Sequence, residues 1–335
     1  MNTFEKLQTE QAIQFVKATF SGALERNLNL SHVSSPLIVQ ENTGINDDLN
    51  GVEQPVSFSL AAMHPHRAVV IHSLAKWKRM RLKEYGIEAG KGIWTDMRAL
   101  RPDEELSPLH SVYVDQWDWE KHITESDRNV NYLMETVQQI YEALKETEKQ
   151  TAKKIPSIVP VLPDEIHCIH AEALLQMFPQ YTAKEREAAV AKKYGAVFIM
   201  GIGGALSNGE AHDGRAADYD DWSTPVENGY SGLNGDIILW HPQLKCAFEV
   251  SSMGIRVNQL ALVRQLKEKN CTERSTLMYH NLLLSGQLPQ SIGGGIGQSR
   301  ICMFMLRKKH IGEVQVSIWP QALRAALSKE GVHLL

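Results

Sequence analysis

The run Gly293-Gly294-Gly295-Ile296-Gly297-Gln298-Ser299-Arg300 limits what this chain can fold into more than any other stretch. Side chains two apart on a strand point the same way, so Gly293, Gly295 and Gly297 strip one face of an extended segment bare. A flat group can lie against backbone exposed in that way, and Arg300 can stack on it or hold an anion. The competing reading is a glycine-rich turn ahead of a core helix, since Ile301-Cys302-Met303-Phe304-Met305-Leu306 is apolar. The stretch alone does not choose between them.

The 335 residues are enough to bury a sizeable core, and 43% hydrophobic residues, 22% charged residues and a net charge of −4 fit an ordinary globular protein. No segment is basic enough to track a phosphate backbone, so nucleic acid is not expected as a partner. Cys168, Cys246, Cys271 and Cys302 lie far apart without CxxC spacing, which signals neither a zinc knuckle nor a disulfide framework. The N-terminus carries acids and no apolar h-region, and no long uncharged apolar run occurs, so a cytoplasmic protein with no membrane partner is expected.

Apolar spacing predicts one long amphipathic helix over 4–27, followed by a short extended piece, 28–38, in which Pro36 suits a strand end or an edge. Residues 41–52, with Asp47 and Asp48, read as a loop. Strands are expected at Phe58–Leu60 and Ala68–Leu74 with a turn at 64–66. A basic helix over 75–83 follows, its charges most simply a solvated face, although a lysine just beyond a strand can reach a carboxylate. Helices are predicted over 128–153, over Ala171–Met177 after a strand in 157–170, and over 182–192 with Thr182 and Glu185 forming a capping box. The strand entering Gly201-Ile202-Gly203-Gly204 fails the dinucleotide pattern: Leu206 stands where the third glycine is needed, and no β-α-β unit is predicted before it. No phosphate-binding loop of the Gly-Lys-Ser/Thr kind occurs. A helix over 258–270 and a terminal region of strand and helix complete the chain.

Two regions carry chemistry. The first is a hairpin with a long polar loop, its strands at 92–101 and 109–120. Period two sets Val112, Val114, Gln116, Asp118 and Glu120 on one face and Tyr113, Asp115, Trp117 and Trp119 on the other, so the tryptophans need cover and the acidic face lines a site. The second is the hairpin 235–242 and 246–256, whose apolar strands are interrupted by Asp236 and Glu249. Buried carboxylates need a cation or donors, which points to Mg²⁺ or, more plainly, to a salt bridge with Arg256. The polar, turn-rich run 212–225 has the make-up of an ordered site loop. His167, Cys168 and His170 have metal-ligand chemistry, but no further ligand group stands near them in sequence.

In order along the chain, the helix and strand ending at Pro36, the segment Arg101 to Glu120 with His110 leading its second strand, and the run Gly293 to Arg300 resemble the three signature motifs of class II aminoacyl-tRNA synthetases. Longer segments resemble the AMP-forming asparagine synthetases A, the aspartate–ammonia ligases: HSLAKWKR (72–79), ALRPDE (99–104), LSPLHSVYVDQWDWE (106–120), DYDDWSTP (218–225), LNGDI (233–237), SSMGIRV (251–257) and IGGGIGQSR (292–300). The resemblance spans nearly the whole chain. An aspartyl- or asparaginyl-tRNA synthetase fits less well, because the chain opens directly on the first motif and leaves no room for an anticodon-binding barrel. A non-catalytic synthetase paralogue is the remaining alternative, but such a chain would usually lose Arg101, Glu249 and Arg300.

The resemblance implies an α+β fold of class II synthetase type, mainly antiparallel sheet flanked by helices, in a single catalytic domain, 1–335, with a helical insertion at about 121–195 and homodimeric assembly. It implies asparagine synthesis from L-aspartate, ammonia and ATP with Mg²⁺, through β-aspartyl-AMP. Arg101 would hold the α-phosphate, Asp236 and Glu249 the metal, and Arg300 the adenine and γ-phosphate, with Gly293, Gly295 and Gly297 leaving space for the nucleotide. Glu104 and His110 fall in the nucleotide-binding motif, where either Asp103 or Glu104 would meet the adenine amino group. Gln116 and Asp118 would orient aspartate, Lys78 its carboxylate, and Asp47 would close over it and help bind ammonium. Asp220 and Ser251 are weaker substrate contacts. Ser299 departs from the synthetase pattern, which has an acid there.

Overall fold

The computed structural model describes residues 3–47 and 53–335; Asp48 and the rest of the loop up to 52 lie outside the described residues. The chain opens with α1 (Thr3–Leu28), then β1 (Leu30–His32), β2 (Ile38–Gln40), β3 (Ser57–Ser59) and β4 (Arg67–Val70). Next come α2 (Ala75–Glu84), β5 (Gly92–Leu100), β6 (Tyr113–His122), α3 (Val130–Lys154), β7 (His167–His170), α4 (Ala171–Met177), α5 (Ala183–Tyr194) and β8 (Ala196–Met200). The C-terminal part holds β9 (Asn234–His241), β10 (Cys246–Ile255), α6 (Gln259–Glu268), α7 (Met278–Leu284), β11 (Ser291–Gly297), α8 (Gln298–Met305) and α9 (Gln321–Lys329).

Eight strands form one sheet in the order β1-β5-β6-β11-β10-β9-β8-β7, antiparallel except at its two ends, where β1 runs parallel to β5 and β7 parallel to β8. A three-stranded sheet, β2-β4-β3, stands apart. The tryptophan face of β6 packs inward as its alternation requires: Trp117 and Trp119 are almost fully buried, and Phe20 of α1 lies 4.6 Å from Trp117 between ring centroids. The apolar stripe of α3, including Leu133, Val137, Ile140 and Leu144, joins the same core. Its first turn is capped by Asn129, whose side chain accepts from the Tyr132 amide. The predicted box at α5 forms in full, with Glu185 Oε2 accepting from the Thr182 amide at 2.8 Å and Thr182 Oγ1 from the Glu185 amide.

Several expectations change. The strand expected within 157–170 is only β7, because Pro160 and Pro163 remove ladder donors. The second strand of the first hairpin starts at Tyr113, since Ser107 to His110 closes into its own tight bridge. No strand follows β11 among the described residues; α9 alone represents the expected terminal strand and helix. A β-α-β unit does precede the glycines at 201–204, as β7 and β8 are parallel and joined through α4 and α5. The loop after β8 does not open a helix, so the dinucleotide reading still fails. The basic residues of α2 form a solvated face only in part: Lys83 is exposed, but Lys76, Lys78 and Arg79 are buried. Each has a partner that offsets desolvation: Lys76 pairs with Asp218 at 2.8 Å, Lys78 with Asp118, and Arg79 donates to the carbonyls of Pro289 and Val257.

Candidate functional site

The middle of the large sheet forms the floor of two adjoining cavities of about 380 and 350 Å³. Both are lined by Arg101, Glu104, Gln116, Asp213, Glu249 and Gly295, so these residues make a common wall. The larger lobe adds Asp47, Lys78, Asp118, Asp220, Arg256 and Gly294; the smaller adds His110, Ser251, Gly297, Ser299 and Arg300.

In β6, the period-two face delivers Gln116, Asp118 and Glu120 upward in a row. Asp118 accepts from Lys78 through one oxygen, while its other oxygen is buried without a hydrogen-bond partner among the described residues. Lys78 also donates to the Gly294 carbonyl at 3.0 Å. Burial draws its ammonium below the ordinary lysine value, against the pull of Asp118 and Glu120. Glu120 lies deeper and is held by Arg256 at 2.8 Å and by the Ser291 hydroxyl at 2.7 Å. Burial alone would raise its pKa; Arg256, joined by Lys78 and the Ser291 hydroxyl, outweighs that and keeps the carboxyl below the usual range. Arg256 also pairs with Asp220, which faces the larger lobe.

The glycine ladder is both a strand and the lead into a core helix, so the two readings of the sequence combine. Its three bare positions serve different ends. A Cβ at Gly293 would meet Glu120 Oε2 at 2.0 Å, so that space belongs to the Glu120–Arg256 pair and not to a ligand. At Gly295 it would meet Gln116 Oε1 at 2.3 Å, and at Gly297 the Arg300 side chain at 3.2 Å. Gly295→Ala should therefore leave the fold intact, because the side chain in its way has a free end, but displace Gln116 and cost roughly ten- to a hundredfold in kcat/KM. Gly294→Ala should instead destabilise, since its Cβ would meet the Ser252 carbonyl at 2.7 Å on the neighbouring strand. Steady-state kinetics alongside thermal melts separate the two; equal Tm losses would refute the distinction.

Arg101 follows directly on β5; its side chain donates to the His72 carbonyl at 3.3 Å, while its Nε is buried without a partner among the described residues. Asp103 accepts from the Gln54 amide at 2.9 Å, while Glu104 lines both lobes. His110 is drawn below the ordinary histidine value by burial and by Arg300, leaving it a neutral ring beside Ser107. Arg300 donates to the Glu249 carbonyl at 2.9 Å and stands 3.8 Å from its carboxylate. Ser299, where the synthetase motif has an acid, donates its amide to Asp115 of β6 at 3.0 Å. Asp47, in the described part of the loop, is buried against the larger lobe.

Asp236 does not line either lobe and does not pair with Arg256. Arg215 takes that place, also standing 3.6 Å from Asp220. Burial pushes the Asp236 carboxyl up to about 7, and the neighbouring Glu249 and Asp213 add to the rise against Arg215. A bulge between Glu249 and Ser251 re-aims β10 here. Ser251 lies in the smaller lobe, its hydroxyl buried without a partner among the described residues. Among the described residues no cluster of three or more His, Cys, Asp or Glu could hold a metal, which includes His167 and His170: the first stacks on Tyr194 and the second on Tyr230. Mg²⁺ usually takes one or two carboxylates together with substrate phosphates, so Glu249 with Asp236 behind it fits that manner of binding. Arg215, Asp213 and Tyr219 were not singled out individually in the sequence; their loop was, as a polar, turn-rich run.

The family model described as aspartate–ammonia ligase matches residues 7–331. The chain is 55% identical to an aspartate–ammonia ligase of Parabacteroides distasonis over 98% of its own length and 95% of that protein's. It is 50% identical to one of Clostridium perfringens over the same shares. Among solved structures it is similar to an asparaginyl-tRNA synthetase from Pyrococcus horikoshii complexed with asparaginyl-adenylate, with a TM-score of 0.69, 14% identity, and 93% of this chain and 70% of that one covered. An aspartyl-tRNA synthetase from Entamoeba histolytica gives 0.62 at 13% identity, covering 94% and 59%. The fold is therefore that of the class II synthetases, and the chain belongs to the aspartate–ammonia ligase family.

Proposed function

We propose that this protein makes L-asparagine from L-aspartate, ammonia and ATP through β-aspartyl-AMP. The observation that carries the reading is the pair of lobes meeting at Arg101 and Gln116: an aspartate in the larger lobe and an adenylate in the smaller would touch at that wall. A β-carboxylate oxygen attacks the α-phosphorus there, the bond to pyrophosphate breaks, and pyrophosphate leaves. Ammonia then attacks the acyl carbon, the bond from that carbon to the bridging oxygen breaks, and AMP departs with the oxygen.

No covalent nucleophile is needed, so positioning and charge carry the rate. Arg101 meets the α-phosphate with its unengaged Nε, and Arg300 supports adenine and the far phosphate. Glu104 is the better candidate for the adenine amino group, because Asp103 is taken up by Gln54. The unpartnered oxygen of Asp118 suits the aspartate amino group, with Gln116 beside it. Lys78, Asp220 and Asp47 complete that lobe: Lys78 toward a substrate carboxylate, Asp47 toward ammonium. Ser251 lies on the nucleotide side. Mg²⁺, when bound by Glu249 and Asp236, supplies charge neutralisation for the phosphates. Homodimerisation belongs to the same proposal: β1 is the outer strand of the sheet, and Leu37 and Ile38 after it are 56% and 38% exposed.

Purified protein given aspartate, ammonia and Mg-ATP should release asparagine, AMP and pyrophosphate in equal amounts. Release of ADP would sink the adenylate mechanism. Transfer of aspartate or asparagine to tRNA in place of ammonia would favour the synthetase reading.

A further inference from the structure

Four carboxylates line the smaller lobe, those of Glu104, Asp115, Asp213 and Glu249, against the two guanidiniums of Arg101 and Arg300. Asp213 and Glu249 line the larger lobe as well. Among the described residues one further cation lines this lobe, and it comes from outside the sheet. Lys184 is the second residue of α5, and its ammonium is held 3.1 Å from Asp213 Oδ2 and 3.1 Å from Glu187 Oε1. The two anchors differ. Glu187 is 8% exposed and further fixed by His212 at 3.2 Å, whereas Asp213 is 44% exposed on the loop bordering both lobes. The Lys184 side chain itself is 69% exposed, so its ammonium remains open to a third partner on the cavity side.

Resting on the reading above, we infer that Lys184 is a pyrophosphate-binding residue, presented to the nucleotide lobe by its bridge to Asp213. A lysine suits this role, because a point charge on a flexible stem follows an anion that moves as it leaves. The carboxylate bridge keeps the ammonium at the rim before ATP arrives and compensates its charge. Its contribution belongs to the two outer phosphates alone. AMP, which lacks them, gains nothing from it.

Lys184→Met, Lys184→Arg and the parent enzyme are compared by product inhibition with pyrophosphate and, separately, with AMP. In Lys184→Met the pyrophosphate inhibition constant and the KM for ATP should rise on the order of tenfold, as expected for one lost charge-assisted bond. AMP inhibition should stay within about twofold, and Lys184→Arg should recover most of the pyrophosphate affinity. Unchanged pyrophosphate inhibition in Lys184→Met overturns the inference, as does equal weakening of AMP and pyrophosphate, which would make Lys184 a structural tie for α5. A parent enzyme whose turnover yields no pyrophosphate overturns the functional reading, and this inference with it.

Discussion

Arg101→Ala is expected to lower kcat by about thirty- to a thousandfold, a loss of roughly 2–4 kcal/mol of transition-state stabilisation. Charge builds on the α-phosphate oxygens as the carboxylate attacks, and Arg101 stands in the wall common to both lobes with its Nε unengaged. Among the described residues its one side-chain hydrogen bond goes to a backbone carbonyl, so removal leaves no buried carboxylate exposed. Stability should change little, and the KM for ATP less than kcat. Pre-steady-state adenylate formation and a thermal melt on the same sample check this; an unchanged kcat/KM would remove Arg101 from the phosphate role.

Arg256→Met should do the reverse, damaging the fold first. Arg256 pairs with Glu120 and Asp220, all three almost fully buried. Taking away the cation leaves two carboxylates out of water, at a cost of about 3–5 kcal/mol for breaking a buried pair. Adding Glu120→Gln and Asp220→Asn should return much of that stability without returning activity, since Asp220 lines the larger lobe. Urea denaturation of the single and triple variants decides it. A single variant within about 1 kcal/mol of the parent would contradict this buried network.

The contrast shows what the sequence made legible. Alternation in 109–120 correctly separated the tryptophan face from the Gln116–Asp118–Glu120 face, because a strand has only two sides. The capping box of α5 and the stripe of α3 were readable because their partners lie within a turn or two. Long-range pairings were not readable. Nothing local shows that Lys76 and Lys78 are buried, since their partners Asp218 and Asp118 lie 142 and 40 residues away. Nor could spacing assign Arg256 to Glu120, which left Asp236 to Arg215. The same limit hid the use of Gly293, whose missing side chain makes room for a salt bridge between Glu120 of β6 and Arg256 just past β10.

The most direct test of the proposed adenylate follows one oxygen atom. Aspartate carrying a heavy oxygen isotope in its β-carboxylate is turned over with ammonia and Mg-ATP, and the products are weighed by mass spectrometry. Attack at the α-phosphorus followed by aminolysis predicts one heavy oxygen in AMP and none in pyrophosphate. Heavy oxygen in inorganic phosphate, or unlabelled AMP, would contradict a β-aspartyl-AMP formed where the two lobes meet.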